Sequence, residues 1–270
     1  MFIKYPRTEH LQGSKFLDLD SNFASDKNLE GYSFDKLSTN DNVIIEEKMD
    51  GIGLGFGFDN GYVYIQHRGH IYYQSEINAY NAPYYIKDFF QWLLQYEELF
   101  YSILEERYVL FGEWLKYKHT VFYNVLPSYF MEYDIYDKNH DYFLSTQKRL
   151  ELIGQYNKEI TSVYVLEQTQ KLSLNDIHYL LLNTQYSIGK NKDWKTDLTD
   201  ICQSNRIDIT NTFNETLNDN LFEGFYIKVE NEDQVLERYK WIRKNFIDIV
   251  LTNDHWKNRT TIYNIENRKF

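Results

Sequence analysis

Lys48 is followed two residues later by an acid and then a glycine, in the stretch Ile44-Ile45-Glu46-Glu47-Lys48-Met49-Asp50-Gly51. Val43, Ile44 and Ile45 read as a buried strand that runs into charge and breaks at Asp50-Gly51. Gly53-Leu54-Gly55-Phe56-Gly57-Phe58 then starts a second strand. A core strand with a lysine at its mouth is poor packing, but it suits nucleophilic chemistry. Desolvation and a neighbouring cation or metal can lower the pKa of such an amine until it attacks an electrophile. The competing reading is a strand end in a glycine-rich hairpin with Lys48 merely solvated.

Further along the chain, several strand ends carry a charged or polar group beside a glycine. These are Arg68 with Gly69, Glu113 after Gly112, Asp134, and Glu223 with Gly224, followed by Lys228 and the group Lys240, Arg243 and Lys244. Singly, Glu113, Glu223 and Lys228 read as partners in surface ion pairs. Facing strands would gather them into one cleft, and such a set suits phosphoryl chemistry. Cations neutralise equatorial oxygens, carboxylates hold Mg²⁺ or ribose hydroxyls, and one lysine is left to attack.

Those groups need a scaffold, and the 270 residues are enough to bury a sizeable core. With 25 Tyr, 18 Phe and only 3 Pro, the composition favours strand-rich or mixed structure over disorder. The single cysteine, Cys202, excludes an intramolecular disulfide framework and a Cys-based zinc site. The N-terminus lacks the apolar run of a secretory signal and no stretch approaches a membrane span, so a soluble cytoplasmic protein with no membrane partner is expected. A net charge of −11 argues against nucleic-acid binding over the whole surface, though not against a local basic groove.

In chain order, residues 1–42 read as a loop-like arm carrying Arg7 and His10. Residues 43–74 read as a strand, the Lys48 turn and a meander. One helix is expected from 82 to 107, with Phe89, Trp92, Leu93, Tyr96, Leu99 and Phe100 at helical spacing. Strands are expected at 108–111 and 129–136, and a helix over 145–156 with Leu150, Leu152 and Ile153 inward. Ser173-x-x-Asp176 is a capping box opening another helix. Residues 189–220 suggest short helices around Trp194 and Ile201, and residues 221–229 and 234–241 read as paired strands. With no repeat and no linker, a single domain is expected: arm 1–42, catalytic domain 43–246, and a short tail 247–270.

Six segments in order resemble the collinear motifs of the covalent nucleotidyltransferases, the polynucleotide ligases and mRNA-capping enzymes. They are Lys48-Met49-Asp50-Gly51, His67-Arg68-Gly69, Phe111-Gly112-Glu113, Tyr133-Asp134-Ile135, Glu223-Gly224-Phe225-Tyr226-Ile227-Lys228 and Lys240-Trp241-Ile242-Arg243-Lys244. Two further stretches, Lys4-Tyr5-Pro6-Arg7-Thr8-Glu9-His10-Leu11-Gln12-Gly13-Ser14 and Lys118-His119-Thr120-Val121-Phe122-Tyr123 onward, resemble bacterial and phage-type RNA ligases. The resemblance implies an α+β adenylyltransferase fold of antiparallel sheets flanked by helices. It implies an ATP-dependent RNA ligase that joins 3′-OH and 5′-phosphate ends in RNA repair through lysyl-AMP, with ATP and Mg²⁺ or Mn²⁺, and an end-healing kinase or phosphatase as a candidate partner. A DNA ligase, a guanylyltransferase and an inactive nucleotide- or RNA-binding module are the alternatives.

By the same resemblance, Lys48 is the nucleophile and Asp50 its acidic or polar loop partner. Arg68 and Glu113 contact ribose, and Tyr133 stacks on adenine or sits in a core strand. Glu223 serves metal and catalysis, while Lys228 and Lys240 contact the α-phosphate. Glu46, on the strand face of Lys48, either accepts from the adenine amine or is a solvated acid. Position 242 is Ile where the last motif often has a second lysine, which leaves Arg243 to supply that charge. The residues after Lys244 are too few for an appended oligonucleotide-binding barrel, which favours RNA chemistry. Lys116, Lys118, Arg7 and His10 are then the candidates for gripping RNA.

Overall fold

The computed structural model describes residues 2–15, 31–37, 42–78, 82–156 and 160–267. The expected loop over residues 18–42 therefore falls largely outside the described residues. Two mostly antiparallel sheets form the body. The first has the order β1 (Glu9–His10), β12 (Val235–Ile242), β11 (Gly224–Glu230), β2 (Asn42–Lys48) and β10 (Val165–Thr169). Its arm strand β1 runs parallel to β12, pairing His10 with Lys240. The second has the order β5 (His70–Tyr73), β4 (Tyr62–His67), β3 (Ile52–Asp59), β6 (Tyr108–Trp114), β7 (Phe130–Asp137) and β8 (Tyr142–Phe143). A two-residue β9 (Thr161–Ser162) lies parallel to β7.

Period-two alternation decides which side chains meet between the sheets. Cross-strand partners share a face, so Lys48, Gly224 and Ile242 align, as do Glu46, Tyr226 and Lys240. The opposite face carries Val43, Ile45, Phe225, Ile227, Val229, Tyr239 and Trp241, which bury against Ile177 of the helix Leu174–Asn183. That helix opens with the expected capping box of Ser173 and Asp176. One sheet face is thus oil and the other is charge.

The second sheet repeats the device. Leu54, Phe56 and Phe58 of β3 pack on Phe89, Leu93 and Phe100 of the flanking helices, while Gly53, Gly55 and Gly57 turn the other way. A Cβ on Gly55 would stand 2.6 Å from the Phe111 ring, so only glycine fits there. The expected single helix from 82 to 107 is two, Tyr84–Leu94 and Glu97–Leu104. The N–H groups of Gln95 and Tyr96 close onto Trp92 and Leu93 at 3.2 and 3.0 Å, one residue short of the α pattern, and the helix stops. Glu97 and Glu98 then favour a fresh N-terminus.

Two other expectations change. In the helix Thr146–Ile153, Leu150 is exposed, and Arg149 joins Ile153 in the interior. The tail is built into the domain: after the helix Lys244–Thr252, residues 262–267 thread the loops at 115–129. Lys118 donates to the Ile262 carbonyl at 2.8 Å, and Tyr123 donates to the Asn264 side chain at 2.9 Å. No described helix is long and apolar enough to cross a membrane.

Candidate active site

Lys48 ends β2, and Glu223 immediately precedes β11 at the adjoining strand mouth. Lys48 Nζ lies 2.8 Å from Glu223 Oε2, with both side chains partly open to solvent. Burial alone would lower the Lys48 pKa, but the carboxylates of Glu223, Glu113 and Asp50 outweigh it and the net direction is up. This reverses the lowered pKa expected from sequence: the resting amine is an ammonium held by carboxylates. Glu113, reached through β6, accepts from the Gly51 N–H at 3.1 Å and so anchors the turn after Lys48. Burial, reinforced by Glu223 and Asp50 against the pull of Lys48, pushes Glu113 up to about 8. The mouth therefore holds more carboxyl groups than Lys48 can balance as charges, and Glu113 keeps its proton at neutral pH.

Beside it opens a cavity of about 530 Å³ lined by Gly51, Gly53, Arg68, His119, Tyr133 and the arm residues from Phe2 to Tyr5, among others. Arg68 reaches it from the β4–β5 turn, where its φ of 45° is unusual for a side chain and is followed by Gly69. Tyr133 reaches it through a bulge. Phe111 pairs with Asp134 and Gly112 with Glu132, which leaves Tyr133 as the extra residue on β7. A bulge re-aims one side chain, and here the ring turns toward Tyr226 and Tyr5, with centroids 6.2 and 5.6 Å away. Lys240 lies on the Lys48 face and helps offset the raised pKa of Glu223.

Several predicted residues sit elsewhere. Glu46 is fully buried, with Arg149 Nη2 at 2.7 Å and Lys228 Nζ at 2.9 Å, so its carboxylate is committed within the fold, contrary to the adenine contact expected. Lys228, equally buried, also holds Asp134 Oδ1 at 3.1 Å and cannot reach a phosphate from there. Asp50 Oδ2 accepts from the Thr120 and Val121 N–H groups, both at 2.7 Å, and so fastens the Lys48 loop. Arg243 is turned to Asp219, at 2.5 Å, and to the Phe222 carbonyl. Among the RNA candidates, Lys118 is buried, donates to the carbonyls of His119 and Glu215, and is pulled down to about 8 by burial. It is a structural group, not a phosphate contact. Lys116 pairs with Asp88 at 2.6 Å, on the side of the helix Tyr84–Leu94. Arg7 is exposed beside β1, and His10 shares a 2.7 Å hydrogen bond with Ser14.

The sequence reading missed the centre of the charged layer. Arg149 links Glu46 to Glu132, and Asp134 holds Arg238 at 3.2 Å, Lys228 and the Tyr5 hydroxyl. Arg149 precedes Ile153 by four residues, so helical spacing already placed both on one face. Asp134 is held down at about 2, where the cations Arg238, Lys228 and Arg149 outweigh its burial. A folded pKa below the usual 3.8 means stability present above about pH 4 and lost as pH falls through about 2. Thermal unfolding should show that loss in the wild type. In Asp134→Asn the slope over that window should shrink, and an unchanged slope would refute the pairing.

The sequence model of the RNA ligase family matches residues 41–242. The chain belongs to the RNA ligase family. Among curated proteins no sequence matches it. Among solved structures it is similar to a mutant RNA ligase of Naegleria gruberi with ATP and Mn. That match has 14% identity and a TM-score of 0.48, and covers 84% of this chain and 54% of that one. It is also similar to an archaeal ATP-dependent RNA ligase, at 16% identity and a TM-score of 0.43, covering 79% and 45% of the two chains. This RNA ligase family member thus spans about half the length of those proteins. Its matched segment holds Lys48, Arg68, Glu113, Tyr133, Glu223 and Lys240, and leaves out the arm and everything after Ile242.

Proposed function

We propose that this protein is an ATP-dependent RNA ligase that joins RNA 3′-OH and 5′-phosphate ends through a covalent lysyl-AMP. The observation that carries the proposal is the Lys48–Glu223 pair, followed by a turn whose Gly51 lines a cavity that also receives Tyr133 and Arg68. In the first step Lys48 Nζ, having given its proton to a neighbouring carboxylate, forms a bond to the α-phosphorus of ATP. The bond to the β-phosphate oxygen breaks and pyrophosphate leaves. The AMP then passes to the RNA 5′-phosphate, and the 3′-OH displaces it to close the phosphodiester.

Tyr133 supplies a stacking face for adenine, worth about 1–3 kcal/mol by comparison with base stacking elsewhere. Arg68 and Glu113 serve the ribose, and Lys240 the α-phosphate. Mg²⁺ or Mn²⁺ would offset phosphate charge as the leaving group departs. The donor set fits such an ion only in part. Glu223 and Glu113 offer carboxyl oxygens whose raised pKa values mark a site that a cation would relieve, but no group of three metal-ligating side chains is present among the described residues. Glu223 would therefore hold the ion together with phosphate oxygens. A cytoplasmic RNA-repair setting, with a kinase or phosphatase preparing the ends, completes the reading.

The test is labelling with ATP and Mg²⁺, followed by sealing assays on matched nicks. The expected result is AMP on the protein from ATP alone and sealing of RNA ends. Labelling by GTP, or sealing confined to DNA, would replace the reading with capping or DNA-ligase chemistry. ATP binding with no pyrophosphate released would make the protein a binding module.

A further inference from the structure

Besides Tyr133, a group of residues that the ligase reading does not use lines the cavity. His119 enters it from the loop after β6, and its ring stacks on Trp256 with centroids 4.0 Å apart and planes 18° apart. Trp256 and Lys257 line the same wall, and both come from the C-terminal segment beyond the family match. Lys257 Nζ rests on the Tyr85 hydroxyl at 3.2 Å. Arg259 donates to the carbonyls of Asp254, His119 and Glu215. Arg68 lines the same cavity.

Three observations single out this corner. In a protein of net charge −11, these cations gather here, and Lys257 and Arg259 donate to neutral oxygens, the Tyr85 hydroxyl and three backbone carbonyls. His119 is nine-tenths buried, and its Nε2 has no hydrogen-bond partner among the described residues. The nearest acid is Asp50, whose Oδ1 stands 3.8 Å from His119 Nδ1 while its other oxygen is taken by two backbone N–H groups. Burial and the charges of His255, Lys118, Arg259 and Arg68 all push His119 toward its neutral form, the signature of a positive field lacking its counter-charge. A buried ring nitrogen with no partner is costly unless a ligand meets it.

We propose that His119 and Lys257 form a subsite for a phosphate group in the nucleotide cavity, walled by Trp256. This rests on the ligase reading and adds a role for the C-terminal segment. Two sources offer that chemistry: the β- and γ-phosphates of the nucleotide, and the 5′-phosphate of the RNA. A bound phosphate would supply the missing counter-charge and favour the protonated ring, which donates from Nε2 to a phosphate oxygen while its Nδ1–H faces Asp50.

The experiment uses the full chain and inorganic pyrophosphate as probe, measured by calorimetry, which requires no ligase activity. Lys257→Ala, on a partly open side chain, should weaken pyrophosphate binding about tenfold and leave AMP binding and the unfolding midpoint near wild type. If the nucleotide tail is the occupant, the same variant raises KM for ATP in labelling and leaves sealing of pre-adenylylated RNA unchanged. If the RNA phosphate is the occupant, labelling is unchanged and transfer of AMP to the RNA end slows. Equal pyrophosphate affinity in wild type, Lys257→Ala and Lys257→Glu would overturn the subsite. So would an equal loss of AMP and pyrophosphate binding, which marks collapse of the whole cavity. A protein that binds pyrophosphate as described but never takes up AMP would sink the ligase reading and leave the subsite standing.

Discussion

Lys48→Ala and Lys48→Arg are both expected to take up no AMP from labelled ATP, while their stabilities separate. The Lys48 amine is the proposed nucleophile, the group on the β2 mouth able to form a phosphoramidate bond, so either change removes it. Arginine cannot stand in, because its guanidinium does not deprotonate at working pH. It does keep a positive charge against Glu223, which lies 2.8 Å from Nζ in the wild type. Alanine leaves Glu223, Glu113 and Asp50 with no cation from β2, and the raised pKa values of Glu223 and Glu113 should climb further. Lys48→Arg should therefore melt close to wild type and Lys48→Ala should melt lower at neutral pH, with the gap closing in acid as the carboxylates protonate. Adduct in either variant would move the nucleophile off Lys48. In the wild type, the raised Lys48 pKa makes labelling accelerate as pH rises above neutral.

The six motifs were legible because each is local. A strand, a charge and a glycine lie within a few residues, and alternation fixes which face they share. That reasoning grouped Lys48, Arg68, Glu113 and Glu223, whereas Tyr133 came from the resemblance alone, because the bulge that turns it to the cavity breaks the alternation. It failed where a side chain's surroundings come from distant chain. Nothing near Lys118 announces that the carbonyl of Glu215 will cover it, and nothing near Glu46 announces Arg149. The arm shows the same limit. Gln66 exchanges hydrogen bonds with the backbone of Ile3 across 63 positions, at 2.8 and 3.3 Å, which makes residues 2–5 a cavity wall. Charge on a strand reads as surface charge until the opposing sheet is known.

That opposing sheet makes Arg149 the residue whose loss should be felt most in stability. Its guanidinium is fully buried, with Nη2 on Glu46 at 2.7 Å and Nη1 on Glu132 at 3.2 Å. Removing one partner from a buried ion network typically costs about 3–5 kcal/mol, because a charge is left in a dry interior. Arg149→Ala should lower unfolding free energy by about that much, as read from urea melts. The damage falls unevenly. Glu46 keeps Lys228 at 2.9 Å, whereas Glu132 keeps only the Ser162 hydroxyl among its described side-chain partners. Glu132→Gln added to Arg149→Ala removes the uncompensated charge, so the double variant should be more stable than the single one. The two changes should then be strongly non-additive. Simple additivity, or a loss under about 1 kcal/mol for Arg149→Ala, would show that water reaches the layer and that the network is not dry. Glu46 shares a sheet face with Lys48 two residues on, so slackening it is expected to shift the Lys48 amine as well. Arg149→Ala should accordingly slow AMP uptake at temperatures where the variant remains folded, and restoring the charge balance with Glu132→Gln should recover part of that rate.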